Sequence, residues 1–176
     1  MLYIETGTQT GVNNLAKRLL LFSVACVPLF LAACAEKGDN TMPTVTAETL
    51  GAQSVLPAWQ YLLAEPYAGA DPEKGEKLAR TCTACHSLEE GGAGMIGPAL
   101  YGFFGSQAGS RDDYDYSDAL REATFFWTPR ALDAWLARPG QFLIGNRMSF
   151  AGVFAASDRA DLIAYLLEVT SPDEGG

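Results

Sequence analysis

One histidine, His86, occurs in 176 residues. That scarcity excludes a bis-imidazole metal site and a histidine relay, since each needs a second imidazole. Cysteine is nearly as scarce. Of the four, Cys26 and Cys34 lie within or at the end of an apolar N-terminal run, which leaves Cys82 and Cys85 for the globular part and no further pair for a structural disulfide. Positive charge is short too, with 12 Lys+Arg against 21 Asp+Glu and a net charge of −9. Nucleic acid, which demands clustered positive charge, is excluded as a partner. An anionic membrane offers such a chain no electrostatic attraction. Alternating strand patterns of useful length and internal repeats are missing as well, which leaves an all-α class.

The segment that most shapes the composition is Leu19 to Ala33, LLLFSVACVPLFLAA, with Lys17-Arg18 before it. A positive n-region followed by 15 apolar residues reads as an export signal. It is shorter than the ~20 residues of a spanning helix and contains Pro28. Leu31-Ala32-Ala33-Cys34 resembles the lipobox of bacterial lipoproteins, which makes Cys34 the lipidation site. Cleavage by an ordinary signal peptidase, or retention of the segment as an uncleaved anchor, are the alternatives. Without residues 1–33, which hold Glu5, Lys17 and Arg18, the remainder carries 10 bases against 20 acids.

Residues 35–57 are rich in small and polar side chains with Pro43 and Pro57 as breakers. Residues 34–70 are expected to be a tether with a possible short apolar helix over 58–65, ending before Pro66 and either packed on the domain or seated at the membrane interface. The domain is expected over 71–170, with 171–176 as a tail. Asp71-Pro72-Glu73 supplies an N-cap, a proline at N1 and an acid in the first turn of a helix reaching about Ala84. Thr128-Pro129 opens a second, with Leu132, Trp135 and Leu136 on one face and a stop at Pro139. Ser157-Asp158 opens a third, through Leu162, Ile163, Tyr165, Leu166 and Leu167. Between them run Gly/Pro-rich loops at 91–97, 101–113 and 139–152. Loops this long in a domain of ~100 residues call for something packed inside them, and a large apolar cofactor meets that need.

Cys82-Thr83-Ala84-Cys85-His86 is the C-x-x-C-H pattern of covalent haem c attachment. Two thiols three residues apart at a helix end can form thioethers to two vinyl groups, and the next residue then presents its imidazole to the iron. A thioredoxin-like thiol pair lacks its βαβ context here, and a zinc site lacks its remaining ligands. With no second histidine, the other axial ligand falls to methionine. Met42 is in the tether, Met95 follows His86 by only nine residues, and Met148 is 62 residues on in a loop able to wrap the far side. Five-coordinate or lysine-ligated iron is the alternative.

GEKLARTCTACHSLEEGG (75–92), GPALYGFFG (97–105), YSDAL (116–120), Trp127, PGQFLIGNRMSFAG (139–152) and the closing LIAYLLE occur in one order over about 100 residues. In these blocks the chain resembles class I cytochrome c of the mitochondrial and α-proteobacterial branch, in a membrane-attached bacterial form. The resemblance implies a single domain of three main helices with long loops around one covalent haem. It implies that the Pro98 carbonyl accepts the His86 proton, that Tyr116 and Trp127 bond a propionate, and that Leu100, Trp135 and Leu136 line the crevice. Met148 is the implied sulfur ligand, and Gly75 would admit Tyr165 against the first helix. Two departures stand out. Ser106 replaces an arginine near the propionates, with Arg111 as a substitute, and the usual lysine ring is reduced to Arg147.

The function implied is a non-enzymatic, monomeric single-electron carrier on the periplasmic side of a Gram-negative bacterium. It would be membrane-attached and would run between a quinol–cytochrome c reductase and a terminal oxidase. An electron-entry subunit of a larger dehydrogenase, or a haem enzyme or sensor with open iron, are the other readings. Cys34→Ala is expected to release the chain from membranes on fractionation; continued attachment would rule out the lipid.

Overall fold

The computed structural model describes residues 45–172. The signal or anchor segment 1–33, Cys34, the first part of the expected tether and the last four residues lie outside them. Among the described residues no helix is long and apolar enough to cross a membrane, and the only β-type pairing is an isolated bridge between Gln107 and Phe126. Over the described residues the architecture is all-α, built from six α-helices and one 3-10 turn.

Helix α1 spans Ala58–Leu62 and α2 spans Pro72–Ala79. At the start of α2, the Asp71 carboxylate accepts the Lys74 amide at 3.1 Å, Pro72 stands at N1 and Glu73 complements the helix dipole. The sequence predicts this helix as far as Ala84, but the α-helix stops at Ala79 and resumes as a 3-10 turn, Cys82–Ala84. The Thr81 amide reaches only to Leu78 O, and the Thr83 hydroxyl takes the Arg80 carbonyl at 3.0 Å, a local bond that competes with the helical ladder. The chain tightens just where the cysteines begin.

Helix α3, Asp118–Arg121, is a single turn capped by Ser117. Helix α4, Pro129–Ala137, has its cap in Thr128 Oγ1, which accepts the Ala131 amide at 3.2 Å. Helix α5, Pro139–Phe142, is a further turn within the loop expected over 139–152. Helix α6, Ala156–Thr170, starts one residue before the predicted Ser157 and buries Leu162, Ile163, Leu166 and Leu167.

Helices α2 and α6 cross in backbone-to-backbone contact. A Cβ on Gly75 would sit 2.3 Å from Asp161 O and 2.7 Å from Tyr165 Cβ, so only glycine fits there. Asp161 locks the crossing. Its carboxylate accepts the Asp71 amide at 2.9 Å and pairs with Lys74 at 2.9 Å, while Asp158 holds the same ammonium at 2.7 Å. Burial pushes the Asp161 carboxyl up, but the Asp71 amide and Lys74 outweigh it and hold it below its usual value.

Residues 45–70, expected to be tether, are instead laid on the domain. Leu50 is 2% exposed and belongs to the main apolar core, and the Ala47 amide donates to Phe142 O at 3.0 Å. Gln53 pairs with one peptide from both ends of its side-chain amide. Oε1 accepts Phe126 N at 2.8 Å, while Nε2 donates to Phe126 O at 2.7 Å and to Thr128 Oγ1 at 2.9 Å. The expected short helix at 58–65 is present as α1, with Tyr61 bonded to Ser54 O and Leu56 N.

Leu50→Ala is expected to cost about 2–5 kcal/mol in denaturant unfolding of the haem-loaded chain, because it empties a core position. A tether residue would cost nothing measurable. Asp161 gains stability from a depressed folded-state pKa, so its contribution is complete above about pH 4 and is lost as pH falls through the folded value. Asp161→Asn should flatten the acid limb of the stability–pH curve below about pH 4.

Candidate functional site

Cys82 carries the turn that shapes the site. Its carbonyl accepts both the Cys85 and His86 amides at 3.0 Å. Both thiols are free and half-buried, and burial pushes the Cys82 thiol up, with Cys85 adding to it. His86 follows with its Nδ1 2.7 Å from the carbonyl oxygen of Pro98. A carbonyl only accepts, so Nδ1 carries the proton and Nε2 keeps its lone pair free for a metal. Burial lowers the imidazole pKa while the Pro98 carbonyl opposes it, which favours the neutral form that ligation requires. Gly97 makes this approach possible, because a Cβ there would lie 2.3 Å from His86 Cε1.

Met148 is positioned by a separate set of bonds. Asn146 Nδ2 donates to Pro139 O at 2.9 Å and Leu143 O at 2.7 Å, and its Oδ1 accepts the Met148 amide at 2.9 Å. The Trp135 indole N–H then meets the Met148 sulfur at 3.2 Å. A thioether has two lone pairs, so one remains. Trp135 is itself fixed edge-on between Trp127, centroids 5.3 Å apart, and Phe142, 5.9 Å apart.

These groups line one cavity of about 420 Å³, within the ~300–1,000 Å³ typical of ligand sites. Cys82, Cys85, His86, Pro98, Leu100, Tyr116, Trp127, Trp135, Leu136 and Met148 are all on its wall. Among the described residues no lysine lines it, and Met95, 54% exposed, is not on the wall. Met42 lies outside the described residues. Ser106 and Arg111 also face the cavity. The Arg111 guanidinium is bonded to the Asp113 carboxylate at 2.8 and 3.0 Å and to Tyr101 O at 3.1 Å. Arg147, at the same cavity, is bonded to the Asp115 carboxylate and backbone oxygen, and Asp115 also takes Arg121. The expected free cation is therefore partly neutralised.

A family model for cytochrome c matches residues 72–170, more than half of the sequence. The chain belongs to the cytochrome c family. It is 45% identical over 102 residues to a cytochrome c of Theileria annulata, an overlap that takes in 57% of this chain and 88% of that protein. It is 39% identical over 100 residues to a cytochrome c2 of Agrobacterium tumefaciens, covering 55% and 90% of the two chains. Among solved structures, cytochrome cH from Methylobacterium extorquens matches with a TM-score of 0.51 at 38% identity, over 55% of this chain and 97% of that one. As a family member the chain is an electron-transfer protein, not an enzyme, and its cofactor is covalently bound haem c.

The residues fit that group. Two thiols, an imidazole with its tautomer fixed, a thioether and an aromatic wall converge on one cavity, the donor set that a covalent, axially ligated haem needs. Three positioning residues were not singled out in the sequence. Asn146 could have been suspected as a short polar side chain inside a Pro/Gly-bounded loop. Gln53 and Leu50 carried no local signal at all.

Proposed function

We propose that the chain carries single electrons on the periplasmic side of a Gram-negative bacterium, held at the membrane by its N-terminal segment. It would receive them from a quinol–cytochrome c reductase and deliver them to a terminal oxidase or a similar acceptor. When bound, haem c supplies the one-electron iron couple. Cys82 and Cys85 would hold it through thioethers. His86 Nε2 and Met148 Sδ would be the axial ligands, a pairing that raises the potential. Pro98 keeps the His86 proton on Nδ1, and Trp135 and Asn146 hold the sulfur in place. Tyr116, Trp127 and Arg111 would meet the propionates, with Arg111 doing the work of the arginine that Ser106 replaces.

The observation that carries this reading is the presence of His86 and Met148 on one cavity wall whose described residues include no lysine and no other methionine. With His86 and Met148 both holding the iron, no substrate would reach it, and the protein would contribute binding, burial and tuning rather than catalysis. Tethering raises the local concentration near membrane-bound partners, which substitutes for the charge steering that a lysine ring would give.

The optical spectrum tests it. The oxidised protein should show the weak sulfur-to-iron band near the red end, and Met148→Ala should abolish it. A high-spin wild-type spectrum, or a band that survives the substitution, would refute the ligand pair and with it the closed-iron carrier.

A further inference from the structure

Within this acidic chain, residues 49–64 (TLGAQSVLPAWQYLLA) carry no charged side chain. The stretch lies outside the part that matches the cytochrome c family. Its inner side is committed to the fold through Leu50 and Gln53. Its outer side exposes four large apolar side chains, Leu63 at 75%, Trp59 at 55%, Val55 at 48% and Leu56 at 45%, with the uncharged Ser54 and Gln60 beside them. Trp59 and Leu63, four residues apart across α1 and its C-cap, share one helical face.

We infer that this patch is a lipid-binding surface, seated in the interface of the bilayer to which the N-terminal segment attaches the chain. The inference rests on the membrane-attached reading above. Three features select lipid as the occupant. Only ten residues separate Cys34 from Val45, where the described structure begins. At ~3.3–3.6 Å per residue, even full extension keeps the domain within about 40 Å of a bilayer anchored at Cys34. The lack of charge means that the patch meets neither repulsion from anionic headgroups nor attraction to a charged protein surface. An exposed tryptophan flanked by leucine and valine suits the depth where headgroups meet acyl chains, with an apolar ring body below and a polar N–H above. Because Gln53 and Leu50 fix the strap to the domain, the patch would dock the domain in one orientation rather than leave it swinging on its anchor.

Tryptophan fluorescence of the full, haem-loaded chain reconstituted in phosphatidylcholine vesicles tests this. The emission assigned to Trp59 is the part that disappears in Trp59→Phe. Replacing part of the lipid by a form brominated on the acyl chain near the headgroup should quench that emission, and Leu63→Ser should relieve the quenching while the chain stays with the vesicles. Retention on the vesicles with unquenched Trp59 emission would overturn the inference and leave membrane attachment intact. Loss of the chain from the vesicle fraction would overturn both. Self-association in detergent solution that Leu63→Ser abolishes would give the patch to a second copy and overturn the lipid assignment.

Discussion

The site depends on how closely α2 can approach α6. The turn that carries Cys82, Cys85 and His86 leaves α2 after a few residues, and α6 brings Leu166 to the cavity those residues line. Where the helices meet, the absent side chain of Gly75 lets backbone touch backbone. Asp161 then fixes the register by holding the first amide of the incoming chain and the Lys74 ammonium together. Close packing makes such a crossing a two-way constraint, because neither helix can shift without carrying its end of the cavity along. The turn that carries the cysteines and His86 starts from the end of α2 that this contact fixes.

The two axial candidates are held by different means. His86 is set by backbone: a tight turn below it, a glycine beside it and a proline carbonyl fixing its proton. Met148 is set by side chains, with Asn146 stitching the loop and Trp135 meeting the sulfur. A thioether is a weak acceptor on a flexible stem, so it needs this surrounding net in a way the imidazole does not. The aromatic ladder from Phe125 through Trp127 and Trp135 to Phe142 gives the net its stiffness.

Much of this was legible because its causes are local. C-x-x-C-H compresses the attachment chemistry into five residues, and Asp71-Pro72 and Thr128-Pro129 announce helix starts within two. Eliminating methionines was possible because the candidates were few, and the fold puts Met148 on the wall of the cavity that His86 lines. The end of α2 was misjudged, since hydrophobic periodicity runs on past Ala79 while Thr83 turns its hydroxyl back to the backbone. The strap was illegible for a different reason. Small polar residues between prolines look the same in a free linker and in an extended segment pinned to a domain. Its deciding bonds, from Gln53 to Phe126 and Thr128, span 73 and 75 residues. Arg147 read as the clearest cation left of the lysine ring, and only the fold places Asp115 against it.

The Gln53 clamp also moves the edge of the folding unit. Family similarity begins at residue 72, yet the core extends back to Leu50 and the peptide before Trp127 is bonded to a side chain upstream of that similarity. A chimera joined at the family boundary would inherit an unfilled apolar slot and an unanswered peptide on the seam beside the cavity. Modular exchange of this domain must therefore cut before Val45, so that residues 45–70 travel with the domain they close.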